Sequence, residues 1–450
     1  VAVRGEHVYA ARLAKSAIAA RGAVELHLSE RGAISNLKLR PCAYPPLDLD
    51  EKNSSSSRAN DADKGKLPPG ACLLRVRAVG LNFRDVLNVM GLYPGDPGAP
   101  GGDCCGTVVS VGSGVDNVRV GDDVFGLAPG CLQSYVATDA RLVHPLPGSS
   151  SPSSSSSSSS RASVLLHEQA AALPVITATV QVALVDLARV KAGDRVLVHA
   201  ASGGVGMAAI QLCHTVGATV FGTVGSDAKK AFVRSLGVKY ITTSRDAAAF
   251  ETDMNTFLSQ HNHNTNRDQD SQQGAANNKV DVVLNSLPGA MLEASLRLLG
   301  HGGRFMELGK RGIYSPAQMR RCRPDVTYEA IAVDHMVESD PAWFQTMLKR
   351  ITRLLETGFI TPPPTHAFDM TSASGKHDAL AAFRFMQRAQ HMGKVVIRLP
   401  SIADNNYRLS GRQQTDNNEA RQSLTRGGGT YVVTGGLGGL GLVVARWLVV

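Results

Sequence analysis

The stretch Lys191 to Leu236, "KAGDRVLVHAASGGVGMAAIQLCHTVGATVFGTVGSDAKKAFVRSL", reads as strand, glycine turn, helix, strand and helix. That order is half of a dinucleotide-binding fold. Arg195 to His199 alternates as a short buried strand, and Ala201, Ser202, Gly203, Gly204, Val205 and Gly206 then occupy the place of a G-x-G-x-x-G turn, with Ala in place of the first Gly. Residues without bulky side chains let backbone N–H groups approach a pyrophosphate, and the helix expected from Met207 to Val216 turns its positive end toward the anion. Such turns also serve simply to pack a helix on a sheet, so the second strand, Thr219 to Val224, matters. It ends where an Asp or Glu would hold the 2′-hydroxyl of NAD, and Val224 stands there instead. Ser226 and Lys229 follow, a hydroxyl and an ammonium suited to a 2′-phosphate, so NADPH is expected over NADH. The one nearby acid, Asp227, reads as the N-cap of a helix beginning at Ala228.

The rest of the chain bounds the answer. Its 450 residues exceed one ordinary domain, and 43% hydrophobic with 19% charged residues is a globular composition. A net charge of +9 raises nucleic acid as a partner, but the basic residues are scattered with no aromatic-studded stripe, so an anionic cofactor and a solvated surface explain it. Seven Cys with no C-x-x-C pair argue against a zinc or disulfide framework and fit a reducing cytosol. No stretch is apolar for long enough to suggest a membrane span, and the start has no signal-peptide form.

Upstream, Val1 to Ala20 is helix-permissive, and the missing start Met suggests an excerpt of a longer polypeptide. Strands are expected from Val24 to Leu28, in "RGAISNLKLRP" and from Ala71 to Gly80. Beyond a short helical opening, "GLNFRDVLNVMGLYPGDPGAPGGDCCGTVVSVGSGVDNVRVGDDVFGL" alternates strands with glycine turns. Ser149 to Ser160 and Gln260 to Asn278 are low-complexity insertions, expected to be disordered and to tolerate deletion. His261 and His263 in the second one suggest a solvated loop before a metal site. Arg161 to Leu187 reads as helix broken at Pro174, "VDVVLNSL" and "GGRFMELG" as strands, and Ala290 to Leu299, Trp343 to Thr357 and Ala379 to Arg388 as helices. "GKVVIRLP" closes the sheet. Ser401 to Gly429 is a polar linker, and "GTYVVTGGLGGLGLVVARWLVV" begins a second nucleotide fold.

A β-rich module followed by a nucleotide-binding unit resembles the medium-chain dehydrogenase/reductase superfamily. The wording "GLNFRDVL", "HAASGGVGMAAIQL", "VDVVLNSLPG" and "GGRFMELGKRGIYSP" resembles the enoylreductase domain of polyketide synthases and animal-type fatty acid synthases, from about Val24 to Leu399. The resemblance implies an α/β protein: a GroES-like β-rich substrate domain (24–172 and 335–400), a doubly wound Rossmann-like NADPH domain (173–334), and a truncated ketoreductase start at 430–450. It also implies an acyl carrier protein as partner, with an upstream dehydratase, a downstream ketoreductase and a homodimer formed through the synthase.

Enoyl reduction pushes negative charge onto the thioester oxygen before the α-carbon is protonated, so donors and an acid are needed. The zinc-binding Cys and His of the superfamily's alcohol dehydrogenases are absent where "GLNFRD" and Gly101-Gly102-Asp103 stand, which implies metal-free polarisation. By resemblance, Tyr93 and Lys310 are candidate proton donors, Asp334 falls near the spacing of an acidic partner, and Asn82 faces the nicotinamide or substrate. Asn285, Ser286 and Leu287, in "LNSL", join the cofactor site. A structural Tyr-Pro-Gly turn, a simple Lys/Asp ion pair and a turn-capping Asn remain open. Two alternatives also stand beside the synthase assignment: a stand-alone quinone or enone reductase, and a non-catalytic structural domain. The ketoreductase-like start and the intact cofactor turn speak against them.

Overall fold

In the computed structural model, the described residues are 2–4, 7–9, 23–42, 67–148, 165–264, 278–371 and 378–400. The serine tract, most of the second insertion, the linker and the second nucleotide-fold start lie outside them. Two compact units are distinguished. In the smaller one the described residues form an antiparallel pair, Ala2–Arg4 with His7–Tyr9. These parts of the helix-permissive stretch Val1 to Ala20 are extended, and the rest of it lies outside the described residues.

The larger unit runs from Gly22 to Ser372 and from Lys376 to Pro400. It opens with a two-stranded ribbon, β1 (Val24–Leu28) and β2 (Leu37–Pro41). Next come β3 (Ala71–Leu81), α1 (Phe83–Val89), β4 (Asp103–Val111), β5 (Asp123–Leu127), β6 (Tyr135–Asp139) and β7 (Val143–Pro145). Helices α2 (His167–Ala171) and α3 (Pro174–Val180) follow, with Pro174 at the first turn of α3 where its missing N–H costs nothing. A π-wound segment, Gln181–Leu187, leads to the nucleotide-binding half.

That half contains β8 (Arg195–Val198), α4 (Gly204–Val216), β9 (Thr219–Val224), α5 (Asp227–Ser235), β10 (Tyr240–Thr243), α6 (Ala247–Asn264), β11 (Val280–Asn285), α7 (Ala290–Leu298), β12 (Leu299–Glu307), α8 (Pro316–Cys322) and β13 (Thr327–Ala330). Its six strands are all parallel in the order β10-β9-β8-β11-β12-β13. This is the doubly wound order, and the direction of winding reverses between β8 and β11. Period-two burial shows why both faces are covered. Val196, Val198, Val220, Val282, Leu284 and Met306 enter one cluster with Ile210 and Cys213 of α4. Leu197, Phe221, Val283 and Phe305 enter the other with Phe250, Met254 and Leu258 of α6. Then come α9 (Val333–Ser339), α10 (Pro341–Glu356), β14 (Thr365–Asp369), α11 (Asp378–Gln387) and β15 (Lys394–Arg398). The last strand returns to the β-rich half and pairs antiparallel with β3, giving a seven-stranded sheet ordered β14-β15-β3-β4-β5-β7, with β6 also on β3.

Four differences from the sequence expectation have physical causes. Helix α4 begins at Gly204, three residues early, because the glycine turn itself winds into it. Ser226, not Asp227, caps α5, accepting the Lys229 N–H on its hydroxyl oxygen. Strand β13 has no apolar alternation to reveal it, since three of its four residues are exposed on a sheet edge. The second insertion starts later than Gln260. Helix α6 runs to Asn264, the His261 ring stands edge-on to Phe221 and Tyr240 at 5.9 and 5.8 Å, and the Asn262 amide donates to Asn278 at 2.8 Å.

The end of β8 carries a buried polar group, His199. The Ser295 hydroxyl donates to the Met291 carbonyl at 2.7 Å and so accepts from His199 Nε2 at 2.8 Å, leaving Nδ1 to accept from Thr223 at 3.0 Å. Burial pushes the imidazole down to about 3, so it is neutral at ordinary pH and ties β8, β9 and α7 together.

Candidate active site

The carboxyl ends of the parallel strands gather the predicted groups. After β8, the turn Ala201 to Gly206 holds Ala200 in a left-handed conformation (φ 49°). Ala201 is buried, with its N–H on the Thr223 carbonyl at 3.0 Å. A methyl group at Gly206 would lie 2.6 Å from the Ala200 oxygen and 2.7 Å from the Ala201 Cα, so only glycine lets α4 pack this closely on the turn. At Gly203 the nearest atom to such a methyl would be 3.3 Å away, and Ser202 is buried behind it. A turn of small residues winding directly into a helix N-terminus fits a pyrophosphate.

The corner beyond Val224 is basic. Lys229 Nζ donates to the Ala389 carbonyl at 2.7 Å, leaving two N–H groups. The Arg245 guanidinium lies across Gly225, 3.0 to 3.1 Å from where a β-carbon would stand. Burial, then Arg245, holds the Lys229 ammonium below its usual range. No acid follows Val224 on the strand. Capping leaves the Ser226 O–H proton free to be donated. These groups fit a 2′-phosphate. Arg245 was not foreseen in the sequence, although a basic residue closing the strand beside β9 is visible once β10 is recognised.

At the ends of β11 and β12, Asn285 donates to Glu307 at 2.6 Å and to the Leu287 carbonyl at 3.1 Å. The Leu287 N–H returns to the Asn285 oxygen at 3.2 Å, and Ser286 lies between them, half-buried. Glu307 also accepts the Gly309 N–H at 2.6 Å. Burial raises its carboxyl, against these two donors. Glu307 thus fixes the backbone that carries both the Asn285 loop and Lys310.

Three side chains from both halves of the unit converge on Asp334, in the first turn of α9. Lys310 Nζ donates to its Oδ1 at 3.4 Å and to the Ile331 carbonyl at 3.4 Å. The Tyr93 hydroxyl donates to its Oδ2 through a short hydrogen bond. Arg84 Nε reaches the same oxygen at 3.3 Å, its Nη2 donates to the Pro97 carbonyl at 3.2 Å, and its guanidinium carbon lies 5.0 Å from the Tyr93 ring centroid. Burial pushes Asp334 up, but Tyr93, Lys310 and Arg84 outweigh it and hold the carboxyl below its ordinary value. Burial and then the Asp334 hydrogen bond push Tyr93 up to about 12, so the phenol stays protonated. Tyr93, Lys310 and Asp334 are therefore brought together, and Arg84, not among the residues singled out in the sequence, joins them. Its i+2 position from Asn82 on the first turn of α1 gave no separate signal.

Asn82 is differently engaged. Its Nδ2 donates to Asp103 Oδ2 at 2.9 Å, and its Oδ1 accepts from Lys394 Nζ at 2.6 Å. Lys394 reaches Asp103 at 2.7 Å, with side-chain exposures of 3% and 0%, so this is a wholly buried ion pair. Asp103 Oδ1 also accepts the Val175 N–H at 3.0 Å. Lys394 lies against the glycine turn, its Cδ 3.6 Å from a β-carbon at Gly204, and the Gly393 N–H donates to the Ser202 carbonyl at 2.8 Å. Asp103 thus neutralises an ammonium, and no group of three or more His, Cys, Asp or Glu among the described residues could hold a metal ion. Nor is any described helix long and apolar enough to cross a membrane.

Residues 68–148 match the family model for the alcohol dehydrogenase GroES-like domain, and residues 204–353 the one for zinc-binding dehydrogenase. The chain is 32% identical to the CurK enoyl reductase, with a TM-score of 0.65, over 84% of this chain and 99% of that one. To the JamJ enoyl reductase (apo form) it is 26% identical, with a TM-score of 0.66, over 84% and 100%. Among curated proteins it is 38% identical over 385 residues to the spectinabilin polyketide synthase system protein NorB of Streptomyces orinoci, 85% of this chain and 14% of that protein. It is 35% identical over 384 residues to the mycocerosic acid synthase-like polyketide synthase of Mycobacterium tuberculosis, 84% and 16%. The chain thus spans only 14 to 16% of the length of these large relatives.

Proposed function

Because the chain belongs to the enoylreductase family of the medium-chain dehydrogenase/reductase superfamily, we propose that it reduces the α,β double bond of a carrier-bound enoyl thioester within a polyketide synthase, with NADPH. The observation that carries this is the cluster of Lys310, Tyr93 and Arg84 on Asp334, set at the carboxyl ends of the strands that also present the glycine turn. Neighbouring synthase domains and an acyl carrier protein are its partners. Residues 24–172 with 335–400 serve the substrate and 173–334 the cofactor.

Bound NADPH supplies the hydride. The protein supplies charge and protons. Lys310 holds its two partners only at 3.4 Å, so its ammonium is the readiest donor to a thioester oxygen as negative charge develops there. Tyr93 is a protonated donor locked on Asp334, and it delivers its proton to the α-carbon only when substrate draws it off that carboxylate. Arg84 steadies both the Tyr93 ring and Asp334. Asn82 is a positioning residue between α1 and the buried pair.

Tyr93→Phe tests the division of labour. With an α-methyl enoyl thioester, the rate should fall modestly while the configuration at the methyl-bearing carbon is scrambled or reversed; unchanged configuration would remove Tyr93 as the donor.

Cofactor choice is tested separately. Lys229→Ala should weaken NADPH about tenfold or more and leave NADH nearly unchanged, since a charge-assisted hydrogen bond contributes roughly 1.5 to 3 kcal/mol. Equal losses for both, read by fluorescence titration, would refute the 2′-phosphate role.

A further inference from the structure

The basic corner beyond Val224 has a third member. The loop after α11 is pinned at two points, by Lys229 on the Ala389 carbonyl and by the Gly393 N–H on the Ser202 carbonyl in the glycine turn. Ala389 adopts a left-handed conformation, φ 51°, to make the bend. Between these pins stands His391. Its Nδ1 is buried and makes no hydrogen bond among the described residues. A buried polar nitrogen costs free energy unless a partner arrives.

The titratable groups that act on His391 come from three elements and all are basic, the ammoniums of Lys229 on α5 and Lys394 on β15 and the imidazole of His366 on β14, whose Nε2 accepts the Met392 N–H at 3.4 Å. Arg245, following β10, acts on Lys229 in turn. From α11 the neighbour is the uncharged Phe385 ring, at 6.3 Å. Asp103 answers Lys394, whereas Lys229 donates to a neutral carbonyl. Cations gathered in this way repel one another, and an arriving anion reverses that cost.

We propose that His391 is a further contact for the 2′-phosphate of NADPH and takes up a proton as that phosphate binds, so that discrimination against NADH depends on pH. This rests on NADPH being the cofactor. In the free protein, burial and then Lys229, His366 and Lys394 push the imidazole down to about 4, so it is neutral near pH 7. A phosphate dianion beside it favours the charged form and raises that value. The complex then binds more protons than the free protein, and affinity increases as pH falls toward the free-protein value of about 4. The phosphate's own second ionisation, near about pH 6, works in the opposite sense, because a phosphate held as a dianion releases protons on binding.

The two signs are separated by calorimetric titration of the full chain with NADP⁺ and with NAD⁺ at pH 7, in two buffers of different ionisation heat. Fractional proton uptake is expected with NADP⁺ and none with NAD⁺. His391→Gln should abolish the uptake and weaken NADP⁺ about tenfold or more with NAD⁺ unchanged, as for loss of one charge-assisted contact. Proton release or no exchange in the unmodified protein, or uptake that persists in His391→Gln, overturns the proposal; the first needs no variant. If Lys229→Ala loses NADP⁺ selectively while His391→Gln does not, NADPH stands and the His391 role fails. If neither variant is selective, both fail.

Discussion

Lys394→Met should destabilise the protein by about 3 to 5 kcal/mol, the cost of leaving a buried carboxylate without its counter-charge. Asp103 is fully buried and among the described residues pairs with the ammonium of Lys394, so removing that cation strands a charge that neither Asn82 nor the Val175 N–H can neutralise. The pair joins β15 and β4, in the sheet of the β-rich half, to α1 through Asn82 and to the first turn of α3 through Val175. Urea unfolding would read the loss directly. The double variant Lys394→Met with Asp103→Leu should recover most of it, because two apolar groups of similar volume have no charge to desolvate. A single variant as stable as the parent would show that the pair is not neutralised within the chain as the geometry requires.

Lys310→Ala is expected to lower kcat by about 10²-fold or more without abolishing NADPH binding, the range found when an oxyanion or acid group is lost. Lys310 stands on the loop after β12, and the two contacts of its ammonium are long, 3.4 Å each. Its removal leaves Asp334 still held by Tyr93 and Arg84, so the fold around α9 should survive. That separates a chemical role from a structural one: stability and cofactor affinity should stay within a factor of a few while turnover collapses. A variant with full turnover would assign charge stabilisation to another donor, with Arg84 as the remaining cation of the cluster.

Much of this was legible in the sequence because the nucleotide half is written in strong local signals. The alternation in "RVLV" and "TVFGTV" and the glycines between them report a two-sided sheet and a turn that must approach an anion. What was not legible depends on distance in space. β13 is an exposed edge strand without a pattern. Arg84 looks like any helix-surface arginine until Asp334, 250 residues later, is placed beside it. The Lys394 ammonium, 291 residues from Asp103, gave no sign that the closing strand would reach the glycine turn. Asn82 was expected to face the reacting groups, and its amide is instead spent on that buried pair. Low-complexity composition also hid a real boundary, since His261 and Asn262 sit among Asn and Gln yet pack as the end of α6.

The central claim, enoyl-thioester reduction with NADPH, is tested most directly by following NADPH oxidation with a crotonyl pantetheine thioester beside a simple quinone, at equal protein concentration. Saturable turnover of the thioester is predicted, with kcat/KM at least about tenfold above that for the quinone, and with NADPH preferred to NADH, which lacks the 2′-phosphate. NADPH oxidation driven by the quinone with no turnover of the thioester would contradict the account.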